Sequence, residues 1–122
     1  MKLLKCMGCG NIVAVLKEGT CIPKCCDKEM MLLKENTVDA SLEKHVPVTE
    51  VDDSRVTVTC GEVLHPMEEN HYIEFMILET TKEFKIQYLH PGDEPICHFT
   101  LGEGESVVVS YAYCNLHGLW KK

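Results

Sequence analysis

No segment of this 122-residue sequence is apolar over the ~20 residues needed to cross a bilayer. The opening stretch, Met1-Lys2-Leu3-Leu4-Lys5-Cys6, also lacks the apolar run of a signal peptide. The expectation is a cytoplasmic protein with no membrane partner. Basic charge is scarce as well: 12 Lys and Arg stand against 19 Asp and Glu, a formal net charge of -7. That balance argues against nucleic acid or an anionic membrane as partner, and a small anionic substrate would need a local cation to approach. Internal repeats and low-complexity tracts are absent. Apolar residues make up 45% of the chain, enough for a packed core, and the length suits one domain or a small domain plus a module.

Cysteine and histidine are plentiful, at eight and six residues. Without an export signal, the cysteines are expected as metal ligands or buried thiols rather than disulfides. Residues 1–36 read as a first unit: Cys6-Met7-Gly8-Cys9-Gly10, a β-like run over Asn11 to Val15, then Cys25-Cys26-Asp27. A glycine-bearing Cys-x-x-Cys loop can turn backbone amides toward its sulfurs and stabilise thiolate charge. The adjacent pair can reach one ion only if the chain turns there, because neighbouring strand side chains point to opposite faces. So short a unit buries too little apolar surface to fold alone, and a metal staple is the physical remedy. The alternatives are a zinc knuckle or thiols without metal, and sulfur ligation alone does not separate iron from zinc. Cys21 is close enough in sequence to Cys25 to compete as a ligand.

Residues 37–122 read as a second, all-β unit. Lys34 to Lys44 form a polar linker, with Ser41-Leu42-Glu43-Lys44 as a helical turn or a loop. Pro47 is expected to hold His45-Val46 out of a helix. Strands are expected over Arg55–Cys60, Tyr72–Leu78, Phe84–Leu89, Ile96–Leu101 and Ser106–Tyr113, with turns at Asp52-Asp53-Ser54, Pro91-Gly92-Asp93 and Gly102-Glu103-Gly104. Short strands at this spacing suggest an antiparallel β-sandwich.

The tail of that unit, Tyr113-Cys114-Asn115-Leu116-His117-Gly118-Leu119-Trp120, places a thiolate and an imidazole within reach of one metal ion. Further ligand candidates lie upstream in Glu43-Lys44-His45-Val46-Pro47 and His65-Pro66-Met67-Glu68-Glu69-Asn70-His71. Four imidazoles and one thiolate exceed what zinc ordinarily takes. Iron accepts such a set and keeps a position for a small molecule, and a thiolate donates electron density to it. His90 and His98 fall outside these motifs. Cys60 and Cys97 lie in β-like runs and read as packed thiols, and Trp120 as the residue that packs the tail down.

These motifs, in this order, resemble the superoxide reductase family in its two-iron desulfoferrodoxin form, across nearly the whole chain. The resemblance implies a small desulforedoxin-like domain followed by an immunoglobulin-like antiparallel β-sandwich, all-β throughout. It implies two iron ions per chain. Cys6, Cys9, Cys25 and Cys26 match the ligands of the first, where zinc can substitute. His45, His65, His71 and His117 match the equatorial ligands of the second, and Cys114 its axial thiolate. Glu43 matches the carboxylate that can close the sixth position in the ferric state, and Lys44 the cation beside it. The implied reaction is one-electron reduction of superoxide to hydrogen peroxide, with an external donor such as rubredoxin restoring Fe(II), in a homodimer. The rival readings are a cupredoxin-like electron-transfer protein, which would leave two histidines unused and lacks its usual methionine after His117, and a structural or zinc-storage protein.

Overall fold

The structure is a computed structural model describing residues 1–122. Its chain divides between Lys34 and Glu35 into two compact units. Asn36 is tied into the second. Its N–H donates to the Leu119 carbonyl at 3.0 Å, and its carboxamide accepts from the Lys121 N–H at 2.8 Å and donates to the Lys121 carbonyl at 3.0 Å. No helix is long and apolar enough to cross a membrane.

The first unit is built from minimal strands. β1 (Lys2–Lys5), β2 (Ile12–Val15) and β5 (Met31–Leu32) form one antiparallel sheet in the order β2-β1-β5. β3 (Lys24–Cys25) and β4 (Lys28–Glu29) form a two-stranded ribbon. Cys26 and Asp27, at φ 52° and 60°, make the left-handed two-residue turn between them. The buried apolar residues of this unit are only Leu3, Leu4, Cys6 and Met30, the last three clustered with Val15 and Cys25 against them. So little apolar burial cannot offset the ordering of this many residues, so the unit needs a cross-link.

The second unit is an antiparallel β-sandwich. One sheet has the order β10-β7-β6, from β6 (Pro47–Asp52), β7 (Arg55–Cys60) and β10 (Ile96–Thr100). The other has the order β12-β11-β8-β9, from β8 (Ile73–Thr80), β9 (Phe84–Tyr88), β11 (Val107–Cys114) and β12 (Gly118–Lys121). Alternation on β7 sends Val56, Val58 and Cys60 inward, and their register on β10 brings Cys97 opposite Val58 and Phe99 opposite Val56. Ile73, Met76 and Leu78 of β8 and Ala112 and Cys114 of β11 supply the facing layer. Thr49 donates a 2.7 Å hydrogen bond to Ser110 across the two sheets.

Two features differ from the sequence-based expectation. His45 is the last residue of a single helical turn, α1 (Leu42–His45), closed by a 3.0 Å bond from the Val46 N–H to the Leu42 carbonyl. The constraint before a proline acts on the preceding residue alone. Val46 duly sits at φ -68°, ψ 121° while His45 stays helical. The outer strands β6 and β12 also lie outside the expected set. Both are sheet edges, β6 opening on a proline and β12 on a glycine, which weakens the strand signal.

Candidate metal centres

In the first unit, the Cys6, Cys9, Cys25 and Cys26 sulfurs all lie within 4.8 Å of one another. Ligands at ~2.3 Å from one tetrahedral ion would be about 3.8 Å apart, and the Cys9 and Cys25 sulfurs stand at 3.5 Å. The turn at Cys26 solves the problem of the adjacent pair: Cys25 ends β3, and Cys26 begins the left-handed turn. Gly8 leaves room for the same packing, since a Cβ there would sit tightly, 3.2 Å from Cys26 Cβ, beside Cys6 Sγ at 3.7 Å. The N–H groups of Cys9 and Gly8 lower the Cys6 thiol to about 6. Hydrogen bonding among the sulfurs, first with Cys9, pushes Cys26 up to about 12. The cluster thus shares one readily formed thiolate among protons it would exchange for a cation. Cys21 is exposed and stands outside it.

In the second unit, His45, His65, His71, Cys114 and His117 bring one ligand atom each to within 4.8 Å of the others. The rings sit at the corners of a quadrilateral. Successive centroids, His45–His65, His65–His71, His71–His117 and His117–His45, are 4.6, 4.7, 5.1 and 4.8 Å apart with rings nearly perpendicular, and the His45–His71 diagonal is 6.4 Å.

Proton placement shows what this arrangement calls for. His45 Nδ1 lies 2.7 Å from the Ser41 carbonyl and His65 Nδ1 2.6 Å from the Pro66 carbonyl. A carbonyl only accepts, so both Nδ1 atoms carry the proton and both Nε2 atoms present lone pairs. Those Nε2 atoms face each other at 3.1 Å. Burial lowers the His65 pKa to about 4 and also lowers that of His45, so neither ring brings a second proton at neutral pH. Two opposed lone pairs need a cation between them. His71 Nε2 is buried without any hydrogen-bond partner. His117 Nδ1 is 2.9 Å from His45 Nε2 and 3.8 Å from Cys114 Sγ. Nitrogens held ~2.1 Å from one ion at right angles are about 3.0 Å apart, close to the separations found.

The placement of Cys114 has a local cause. A register shift in the β8–β11 pairing puts Tyr113 opposite Phe75 but Cys114 opposite Ile73, leaving Glu74 as the extra residue. This bulge turns both Ile73 and Cys114 to the interior. Burial raises the Cys114 thiol, while the N–H groups of His117 and Leu116 favour its thiolate. Trp120 is fully buried, lies 4.8 Å from the His45 ring between centroids, and donates to the His117 carbonyl at 3.1 Å. Glu43 and Lys44 are exposed on α1 beside buried His45, and the Lys44 charge contributes to lowering the His71 pKa, after burial and His117. His90 and His98 are on the surface with Asp93 and Thr57 as neighbours, and Cys60 and Cys97 are fully buried.

A family model described as Desulfoferrodoxin matches residues 37–122. The chain belongs to the desulfoferrodoxin family. Among curated desulfoferrodoxins, that of Syntrophotalea carbinolica is 48% identical over 98% of this chain and 94% of its own length. The desulfoferrodoxin of Nitratidesulfovibrio vulgaris is 45% identical over 98% and 94%. Among solved structures, the superoxide reductase from Treponema pallidum superposes with a TM-score of 0.84 at 31% identity, covering 100% of this chain and 99% of that one. The superoxide reductase (1Fe-SOR) from Giardia intestinalis gives a TM-score of 0.58 at 32% identity and covers 66% of this chain and 95% of its own. The desulfoferrodoxin fold is therefore matched end to end in one case and over about two thirds of the chain in the other, and the family is one of superoxide-reductase enzymes.

Proposed function

We propose that this desulfoferrodoxin reduces superoxide to hydrogen peroxide at an iron held by His45, His65, His71, His117 and Cys114, with a second iron, replaceable by zinc, on Cys6, Cys9, Cys25 and Cys26. The observation that carries this reading is the pair of opposed His45 and His65 lone pairs within a five-ligand cluster, which calls for a cation and uses every histidine that a cupredoxin-like centre would leave idle. Iron bound there supplies the electron, ferrous iron being oxidised to ferric as superoxide and two protons become hydrogen peroxide. The residues of the chain set the conditions. Burial raises the Cys114 thiol and the backbone amides of His117 and Leu116 oppose that, supporting a thiolate once a cation is bound. Trp120 shields the His45 face, and Lys44 supplies the cation that a chain of net charge -7 otherwise withholds from an anion. Re-reduction by an external carrier such as rubredoxin and a homodimeric assembly complete the reading on the family resemblance. The test is the ferrous, iron-loaded protein, kept reduced by excess reduced rubredoxin, under anaerobic superoxide flux. One hydrogen peroxide per superoxide without dioxygen supports the reading, and dismutation or no turnover overturns it.

Lys44→Ile should slow the bimolecular reaction of the ferrous protein with superoxide and flatten its dependence on ionic strength. Steering by a focused local charge is worth about 10 to 10³ in on-rate, so one lysine should account for about tenfold. Glu43→Ala should leave that step unchanged. Pulse radiolysis at several salt concentrations reads both, and a wild-type rate with a wild-type salt slope in Lys44→Ile removes the steering role.

The two ligand sets share no residue and lie in separate units. Cys9→Ser should therefore lower the melting temperature of the first unit and its metal content while leaving peroxide formation unchanged, since metal binding in so small a unit is also folding energy. Loss of peroxide formation with the histidine-site iron still bound would show that the centres are coupled.

A further inference from the structure

Asn115 is absorbed by neither metal centre, yet it ties together two of the loops that carry ligands. It lies between Cys114 and His117 in the short loop that joins β11 to β12. Its side-chain oxygen accepts from the Tyr72 N–H at 3.0 Å, its side-chain nitrogen donates to the Asn70 carbonyl at 3.1 Å, and its own N–H donates to the Tyr72 carbonyl at 3.2 Å. Asn70 and Tyr72 are the residues on either side of His71. The His71 backbone is itself tied into a tight turn, its N–H and carbonyl both bonded to Glu68 at 3.1 and 2.9 Å. The β8–β11 pairing shifts register at Glu74 and its last pair is Ile73 with Cys114, so the strand ladder stops two residues short of His71.

We infer that Asn115 is a positioning residue that clamps the His71 loop to the Cys114–His117 loop, fixing the mutual placement of the thiolate and the His71 imidazole. The inference rests on the proposed iron site. Asparagine suits the task because one planar group offers an acceptor and a donor in fixed relation, and so can bond an N–H and a carbonyl two residues apart at once. Aspartate keeps the acceptor and loses the donor. Alanine loses both and leaves the Tyr72 N–H and Asn70 carbonyl to water. Supporting hydrogen bonds of this kind change metal affinity or activity by about 10 to 100-fold when removed.

The experiment compares wild type, Asn115→Asp and Asn115→Ala, each loaded with ferric iron. Three quantities are read: the visible thiolate-to-iron absorption, the rate of iron release to an excess chelator, and the thermal melt of the metal-free protein. Asn115→Ala should shift the absorption and release iron at least about tenfold faster, with Asn115→Asp in between. A clamp that serves folding alone would lower the melt and leave the absorption and the release rate of the folded protein at wild-type values, and that result overturns the inference. A wild-type protein that binds no iron at the histidine site overturns the proposed function instead, and is recognised by the absence of the band before any variant is made.

Discussion

Cys114→Ser should cut superoxide reduction by the iron-loaded protein by at least about 10²-fold, equal to about 2.7 kcal/mol of barrier, while the folded protein survives. The reason lies in the surroundings of the sulfur. Cys114 is fully buried, and burial pushes its thiol up, so without a cation the neutral thiol is the stable form. The N–H groups of His117 and Leu116 already lean toward it and would support a thiolate once a cation is present. A serine hydroxyl fits the same space and keeps those donors, but it ionises far less readily and donates electron density more weakly. The loss is therefore one of electronic push rather than of packing. Cys97→Ser is the matched control, because Cys97 is as deeply buried, stands on β10 opposite Val58, and belongs to neither ligand set. It should lower stability and leave both the visible thiolate absorption and the rate intact. A Cys114→Ser protein that retains iron and the wild-type rate would remove the thiolate from the chemistry.

What the sequence made legible was chemistry attached to spacing. The alternating strands β7 and β10 stand out because one face of each is buried and the other wet, and period-two patterning survives that arrangement. The ligand candidates stand out because cysteine and histidine recur in short motifs, Cys-x-x-Cys and Cys-x-x-His among them, at spacings that suit one ion. The edge strands β6 and β12 do not, since Pro47 and Gly118 are poor strand formers and an edge carries half the pairing. The helical turn ending on His45 is hidden by the rule for residues preceding proline, which reaches Val46 and no further. The clamp formed by Asn115 is invisible in the sequence for a different reason. It depends on a β-bulge and on two loops meeting at a separation of 43 residues for the Tyr72 bond, and no local pattern encodes that meeting.

The other large effect is expected at Gly61, which sequence reading passes over as the residue after a strand. Its φ is +84°, and a Cβ there would lie 2.4 Å from the Val63 carbonyl oxygen, 2.6 Å from that of Lys44 and 2.7 Å from that of Glu43. All three are backbone atoms, so no side chain can swing aside. The Gly61 N–H donates to the Val46 carbonyl at 3.2 Å and the Val63 N–H to the Glu43 carbonyl at 2.9 Å, and the Cys60 thiol points at the Lys44 and His45 carbonyls at 3.5 and 3.4 Å. The turn after β7 is thus packed directly under α1 and holds the backbone that carries Glu43, Lys44 and His45. Gly61→Ala must either force the left-handed conformation on a residue with a Cβ and tolerate three clashes, or push α1 outward. Left-handed backbone alone costs about 1 to 2 kcal/mol, and the clashes should bring the total to at least about 3 kcal/mol, or a fall of about 12 to 24 °C in melting temperature for a unit of this size. Gly92 isolates the backbone part, having φ +89° and open space where a Cβ would stand, with nothing within 4 Å, so Gly92→Ala should lose only the smaller amount. Thermal melts of the metal-free proteins read the difference. Because His45 rides on the displaced backbone, the Gly61→Ala protein that does fold should also release iron from the histidine site faster than Gly92→Ala. Equal melting temperatures and equal iron release in the two variants would show that the turn does not hold α1 in place.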